Sequence, residues 1–332
     1  MPETRRLAYD LVLIVLICIL PFCTAEGAQR SMKYTSRSID QSIVWQKELR
    51  NKLFKILKLD DLVSKKNPIS LKPKLLTSQG KNNYTLQEVE ISSTPGRRMS
   101  VILTLPLNSS SPCPAVVCIH GHGGNKYSVY DPESIYRGFA LELAKKGYAT
   151  IAADVGQHEV YEENRILMGE RLWDLIRCID YLESLPQIDS TRIGCGGLSL
   201  GGEMAMWLGA MDERISASVS AGFLTRMDQM EVNHCLCWKF PGLRELVDYA
   251  DIYSLTAPRP LLCQNGLREP PTQFPVSLAR EVLKEIKVIY SDMHIPENVS
   301  LLAHEGAHEI ELSSLLAFFD KHIGLGQIKT QP

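Results

Sequence analysis

The chain has 332 residues, 45% of them hydrophobic and 22% charged, with a formal net charge of −2. That is the make-up of a globular protein long enough to bury a full core, and so even a charge balance supplies no field for nucleic acid or an anionic membrane surface. No repeat or low-complexity tract is present, which sets aside solenoid and fibrous architectures.

Arg5 and Arg6 precede an apolar run over 11–20, followed by Pro21 and small residues over 24–28. A positive start, an apolar middle and a small-residue zone make 1–28 an expected export signal. A retained N-terminal anchor is the alternative, although the run is short of the roughly 20 residues a membrane span needs. The expected location is therefore secreted or periplasmic, or membrane-anchored in the alternative, with no other stable membrane partner. Residues 29–83 read as a short N-terminal helical extension. Trp45, Leu49, Leu53 and Leu57 recur at helical spacing, and Pro68 and Pro73 end the pattern. The segment is too short to hold a core alone and is expected to pack on the main body.

Residues 84–325 are expected to form that body. Strand-like runs fall at 84–91, 99–105, 115–119, 148–153, 192–196, 215–221, 260–265 and 298–303. Helical patterns fall at 134–146, 163–185, 200–211, 276–290 and 310–322. The first two strands alternate polar and apolar residues, as half-exposed antiparallel strands do, whereas the later ones are apolar throughout, as in a buried parallel sheet. The predicted fold is α/β: a mostly parallel eight-stranded sheet flanked by helices.

Gly197-Leu198-Ser199-Leu200-Gly201 lies between the fifth strand pattern and the third helix. G-x-S-x-G in a strand–turn–helix context is a nucleophile elbow, a turn so tight that the positions two before and two after the serine must be glycine. It lifts the serine hydroxyl clear of the sheet at the N-terminus of a helix, where developing negative charge is favoured. A serine hydroxyl needs a base, and the base an orienting carboxylate. In this chain order the histidine follows the last strand, where His308 is the expected base and His304 the runner-up. Glu269 is the first carboxylate after the 260–265 strand and the expected acid, with Asp251 and Asp292 as alternatives. The oxyanion donors are expected from the backbone of Leu200 and from the loop His120-Gly121-His122-Gly123-Gly124, at Gly121 and His122.

The segment 222–252 has no long helical pattern, and its Phe223, Trp238 and Phe240 fit a substrate wall as well as they fit local core. Substrate-binding candidates are Trp238 and Arg171, the latter read more readily as a surface salt bridge. Seven cysteines lie beyond the signal, an odd number that cannot form a closed disulfide framework. Cys118, Cys195 and Cys263 fall inside core strands, where a free thiol acts as a small hydrophobe. Cys235-Leu236-Cys237 offers a metal pair, but two more ligands are needed and only His234 adjoins it. Loop packing is the expected role, and neither a metal nor a cofactor is expected. His304-Glu305-Gly306-Ala307-His308 also satisfies the zinc-protease signature H-E-x-x-H. That signature requires one helix carrying both histidines, and here a strand pattern runs directly into it.

Beyond the elbow, several stretches carry a family resemblance: Gly169-Glu170-Arg171-Leu172-Trp173-Asp174, Asp180-Tyr181-Leu182, Ala257-Pro258-Arg259-Pro260-Leu261-Leu262 and Glu305-Gly306-Ala307-His308-Glu309. Together with the His120–Gly123 loop, they make residues 40–323 resemble the secreted α/β-hydrolases of the dienelactone-hydrolase and acetylxylan-esterase-like group. The resemblance implies an α/β-hydrolase fold and carboxylic-ester hydrolysis through an acyl-enzyme, often of acyl groups on sugars. The expected partner is thus a small-molecule or carbohydrate ester. That group's usual acid is aspartate, and here Glu269 stands in its place, with a loop after it about two residues longer. A peptidase, or a catalytically silent fold serving as a binding protein, are the alternatives.

Overall fold

The computed structural model describes residues 30–64, 69–107, 112–232 and 234–324. The expected export signal, 1–28, lies outside them. Nine strands form one sheet: β1 (Lys74–Gly80), β2 (Tyr84–Ser92), β3 (Arg98–Pro106), β4 (Cys113–Ile119), β5 (Ala149–Ala153), β6 (Ile188–Leu198), β7 (Ile215–Ala221), β8 (Leu261–Gly266) and β9 (Val299–His304). Their order is β1-β2-β3-β5-β4-β6-β7-β8-β9. β1, β2 and β3 run antiparallel to one another, and β3 runs antiparallel to β5. Every other pairing is parallel.

The count corrects the eight expected strands. The additional one, β1, is exposed at all seven positions. With no buried face it has no reason to alternate polar and apolar side chains, so the sequence carries no period to read. β6 also begins earlier than its apolar stretch, because Asp189, Ser190 and Thr191 continue the strand at the surface.

The main helices are α1 (Ile39–Ile56), α2 (Phe139–Lys145), α3 (Leu167–Glu183), α4 (Leu200–Met211), α5 (Tyr249–Ser254), α6 (Val276–Asp292) and α7 (Leu312–Ile323). They cover both faces of the sheet. In β4, Ala115, Val117 and Ile119 join the larger core, with α1, α3, α4 and α6. Val116 and Cys118 point the other way, into the core formed with α2 and α7. Both faces being buried explains the unbroken apolar runs of the central strands. Five of the cysteines, Cys113, Cys118, Cys178, Cys195 and Cys263, are buried free thiols. No helix among the described residues is long and apolar enough to cross a membrane.

α1 is capped by Ser38, whose hydroxyl accepts from the Gln41 amide while the Gln41 side chain accepts from the Ser38 amide. Its Leu49 and Leu53 are fully buried. Its polar face is engaged too: Arg50 donates to the carbonyls of Ala210 and Leu255, and Gln46 to those of Ser254 and Ala257.

Candidate active site

Ser199 stands between β6 and α4 with φ 63° and ψ −125°, a backbone state a side chain rarely adopts. Its N–H donates to Ala221 O at 2.9 Å. The flanking glycines are dictated by contact. A Cβ on Gly197 would lie 2.5 Å from both Gly201 O and Ile119 O, and one on Gly201 would lie 2.2 Å from Ile119 O. The Leu200 N–H opens the first turn of α4 and has no carbonyl four residues back within the helix to meet.

His308 and Glu269 come together. Nδ1 of His308 lies 2.6 Å from Oε1 of Glu269. A carboxylate accepts, so Nδ1 carries the proton and Nε2 keeps its lone pair. The two loops that carry them are joined by backbone bonds: Leu267 N–H to His304 O at 2.8 Å and Arg268 N–H to Gly306 O at 3.0 Å. Asn265 at the end of β8 anchors the far side of the acid loop by donating to Phe274 O. Phe274 stacks on the His308 ring at 5.4 Å. At Gly222, φ +58°, an added Cβ would stand 2.8 Å from His308 Cε1. The imidazole is thus fixed in direction by its carboxylate and in position by its neighbours.

Ser199 and His308 line one cavity of about 170 Å³, with Leu200, His122, Phe223 and Phe274 among the other walls. Glu203, one turn along α4 from the serine, also faces it. Its carboxyl is fully buried, and desolvation raises it from 4.5 to about 8 against the opposing pull of Arg171, so it is largely protonated at neutral pH.

The two loop amides expected to serve the oxyanion differ. The Gly121 N–H donates to Tyr136 Oη at 2.7 Å, which removes it from the set of free donors and leaves His122 as the candidate of the two. The loop is held close to the serine, since a Cβ on Gly121 would be 3.0 Å from Ser199 Cβ. His120 braces it from below: its Nε2 accepts from Val155 N–H at 3.0 Å, so Nδ1 is the protonated nitrogen and donates to Gly121 O at 2.8 Å. Tyr136 and Phe274, which hold the Gly121 amide and the His308 ring, carry no signal in the sequence that would select them.

The other expectations fare unevenly. Trp238 is 1% exposed and packs edge-on against Tyr249, so it sits behind the cavity wall. Phe240 lies against Trp207, and only Phe223 of that aromatic trio reaches the cavity. Arg171 is fully buried rather than a surface ion pair. It donates to Gln157 O and, at 3.3 Å, to Cys237 Sγ. Of the alternative acids, Asp251 accepts from Tyr34 N–H and pairs with Arg30, and Asp292 accepts from Tyr34 Oη, Ser36 and Arg37. Both hold the segment that leads into α1. His304 ends β9, where its Nδ1 accepts from Gly306 N–H. With His304 on a strand and His308 in the loop after it, the zinc-protease geometry is absent.

Comparison with known proteins agrees with this architecture. The family described as glucuronyl esterase, fungi, matches residues 91–222. YtaP of Bacillus subtilis, assigned as a hydrolase, is 26% identical over 269 residues, 74% of this chain and 87% of its own length. The 4-O-methyl-glucuronoyl methylesterase of Hypocrea jecorina is 26% identical over 220 residues, 55% of this chain and 44% of its own. Among solved structures, one from Bacteroides fragilis assigned as an acetyl xylan esterase superposes with a TM-score of 0.70 at 21% identity, covering 84% of this chain and 80% of that one. Sheet order and the superposition give the chain an α/β-hydrolase fold, and the segment around the elbow is similar to a family of glucuronyl esterases.

Proposed function

We propose that the protein hydrolyses carboxylic esters carried on carbohydrates, through Ser199, His308 and Glu269. The observation that carries this reading is the imidazole bonded at 2.6 Å to a buried carboxylate, on the wall of the cavity that the elbow serine enters. Ser199 Oγ attacks the ester carbonyl as His308 Nε2 takes its proton. The amides of Leu200 and His122 hold the oxyanion. His308 then protonates the departing alcohol, and a water activated by the same nitrogen releases the acid and restores the serine.

Size bears on the substrate. A cavity of about 170 Å³ is below the roughly 300–1,000 Å³ of pockets that enclose a drug-sized ligand. It suits a small acyl or alkoxy group, such as acetyl or methoxy. A polar groove of about 860 Å³ lies across the same loop, with Gly123, Gly124, Asn125 and Tyr161 among its walls, and offers room for the sugar. The likeness to the 4-O-methyl-glucuronoyl methylesterase of Hypocrea jecorina is consistent with that division. The leader over 1–28 would export the enzyme to where such polymers are met.

A panel of p-nitrophenyl esters, acetylated xylo-oligosaccharides and methyl glucuronates tests the proposal, with Ser199→Ala as control. Turnover is expected on short acyl or methyl esters and to vanish in the variant. A folded parent protein that neither turns over any ester nor is labelled at Ser199 by a fluorophosphonate overturns it in favour of a silent binding fold.

A further inference from the structure

Three chain segments far apart in sequence bring four soft ligand groups to one place beside the cavity. His122 comes from the loop after β4, His158 from the loop after β5, and Cys235 and Cys237 from the segment after β7. One ligand atom from each lies within 4.8 Å of all the others. His122 Nε2 is 3.2 Å from Cys237 Sγ, and His158 Nε2 is 3.4 Å from Cys235 Sγ. The two imidazoles stack at 5.4 Å. Along the chain only His234 adjoins the cysteine pair, but it packs against Phe274 instead.

We infer that His122, His158, Cys235 and Cys237 form a closed tetrahedral site for a divalent zinc-like cation, which clamps the oxyanion loop to the wall of the cavity. The geometry argues for it. Zinc bonds of about 2.3 Å to sulfur and about 2.0 Å to nitrogen put the corners of its tetrahedron roughly 3.3–3.8 Å apart. Two of the sulfur–nitrogen edges, at 3.2 and 3.4 Å, are already close to that length, and the remaining atoms need to close by about 1.5 Å at most. Two thiolates and two imidazoles select zinc over the hard, oxygen-loving calcium and magnesium. All four positions are taken by protein, which marks a structural site with no open coordination for a reacting water.

The surroundings fit as well. A coordinating thiol is deprotonated outright. Two thiol protons leave to solvent on binding. Arg171 then donates to the coordinated sulfur of Cys237 as an outer partner, which accounts for a guanidinium buried without a carboxylate bonded to it among the described residues.

The consequence for the site is direct. His122 contributes its backbone N–H to the proposed oxyanion hole and its side chain to the cation. Cys235 and Cys237 are walls of the same cavity. The cation would fix the donor's position, and its removal would loosen the loop without touching Ser199, His308 or Glu269. This effect on turnover rests on the esterase reading, but the binding of the cation does not.

The test therefore reads the metal itself. The full chain without an affinity tag is reduced, loaded with zinc, freed of excess and measured by mass spectrometry of the element. About one zinc per chain is expected in the parent and in Ser199→Ala, and next to none in the double variant Cys235→Ser/Cys237→Ser. His158→Ala changes an exposed residue and should fold as the parent does yet bind zinc more weakly. Cobalt in place of zinc should give the strong visible bands of a tetrahedral site and thiolate-to-metal charge transfer. Failure of the reduced parent to take up zinc, equal zinc in the double variant, or a zinc-free native protein whose peptide map joins Cys235 to Cys237 would each overturn the assignment.

Discussion

Replacing Glu269 by Gln isolates what the carboxylate's charge does for the reaction. The side chain is 1% exposed, and its one described side-chain bond is to His308. Its Oε2 has no partner among the described residues, so a glutamine is free to turn its oxygen toward Nδ1 and keep the ring in place. What is lost is the attraction for the imidazolium that forms in the transition state. Charge centres about 4 Å apart at an effective dielectric of about 20 interact by about 4 kcal/mol, close to a thousandfold in rate. A third of the His308 side chain is open to water, and that screening brings the expected fall in kcat to between about a hundredfold and a thousandfold. KM should change little, because Glu269 does not line the cavity. Steady-state kinetics on a short-chain p-nitrophenyl ester, with circular dichroism as a check on folding, make the measurement. A well-folded Glu269→Gln within about threefold of the parent kcat would refute the reasoning and require another carboxylate to serve His308.

Two further perturbations act on the same cavity. Gly222→Ala forces a methyl to 2.8 Å from His308 Cε1 at a φ of +58°. Labelling of Ser199 by a fluorophosphonate should slow by at least about tenfold, with a stability loss of roughly 1–2 kcal/mol from the left-handed backbone, and parental labelling would show that the ring has room to move. Glu203→Gln tests the buried carboxyl. Its pKa is raised from 4.5 to about 8 on folding, so between those values the folded chain holds a proton that the unfolded chain has released. Stability from this group is therefore whole below about pH 4.5 and falls as pH rises toward 8, by up to about 1.4 kcal/mol per unit. Urea midpoints of parent and variant should diverge in favour of the variant as pH increases across that window, and divergence in the opposite direction would contradict the burial argument.

How much of this was legible follows from how far each signal reaches along the chain. The elbow is local: a serine between two glycines within five residues, both glycines required by contacts under 3 Å, announces itself. Ser199, Glu269 and His308 could be singled out as candidates from strand to strand because each lies just past a recognisable apolar run. Arg171 could not be placed that way. α3 carries charges on the side that an ordinary helix turns to water, but here the turn before β3 covers that side. Asp174 accepts from Ser93 and Arg97, and Trp173 donates to Ser93 O. Glu170 is likewise engaged, accepting from the Tyr161 and Glu162 amides. The pairing of His122 and His158 with two cysteines more than 70 residues further on was invisible for a related reason, since no short pattern links three loops that only the sheet brings together. The engagement of the Gly121 amide leaves no local trace, because its partner, the phenol of Tyr136, lies 15 residues away in an irregular stretch.

The first helix deserves its own place in any plan for handling this protein. Because Gln46 and Arg50 supply donors to main-chain oxygens around the end of α4 and of α5, trimming the polypeptide back to its first strand would strip the floor beneath the catalytic body and leave bare carbonyls beside an uncovered greasy face. A shortened version cut there should come out as aggregate, whereas one beginning ahead of Arg30 keeps the floor whole.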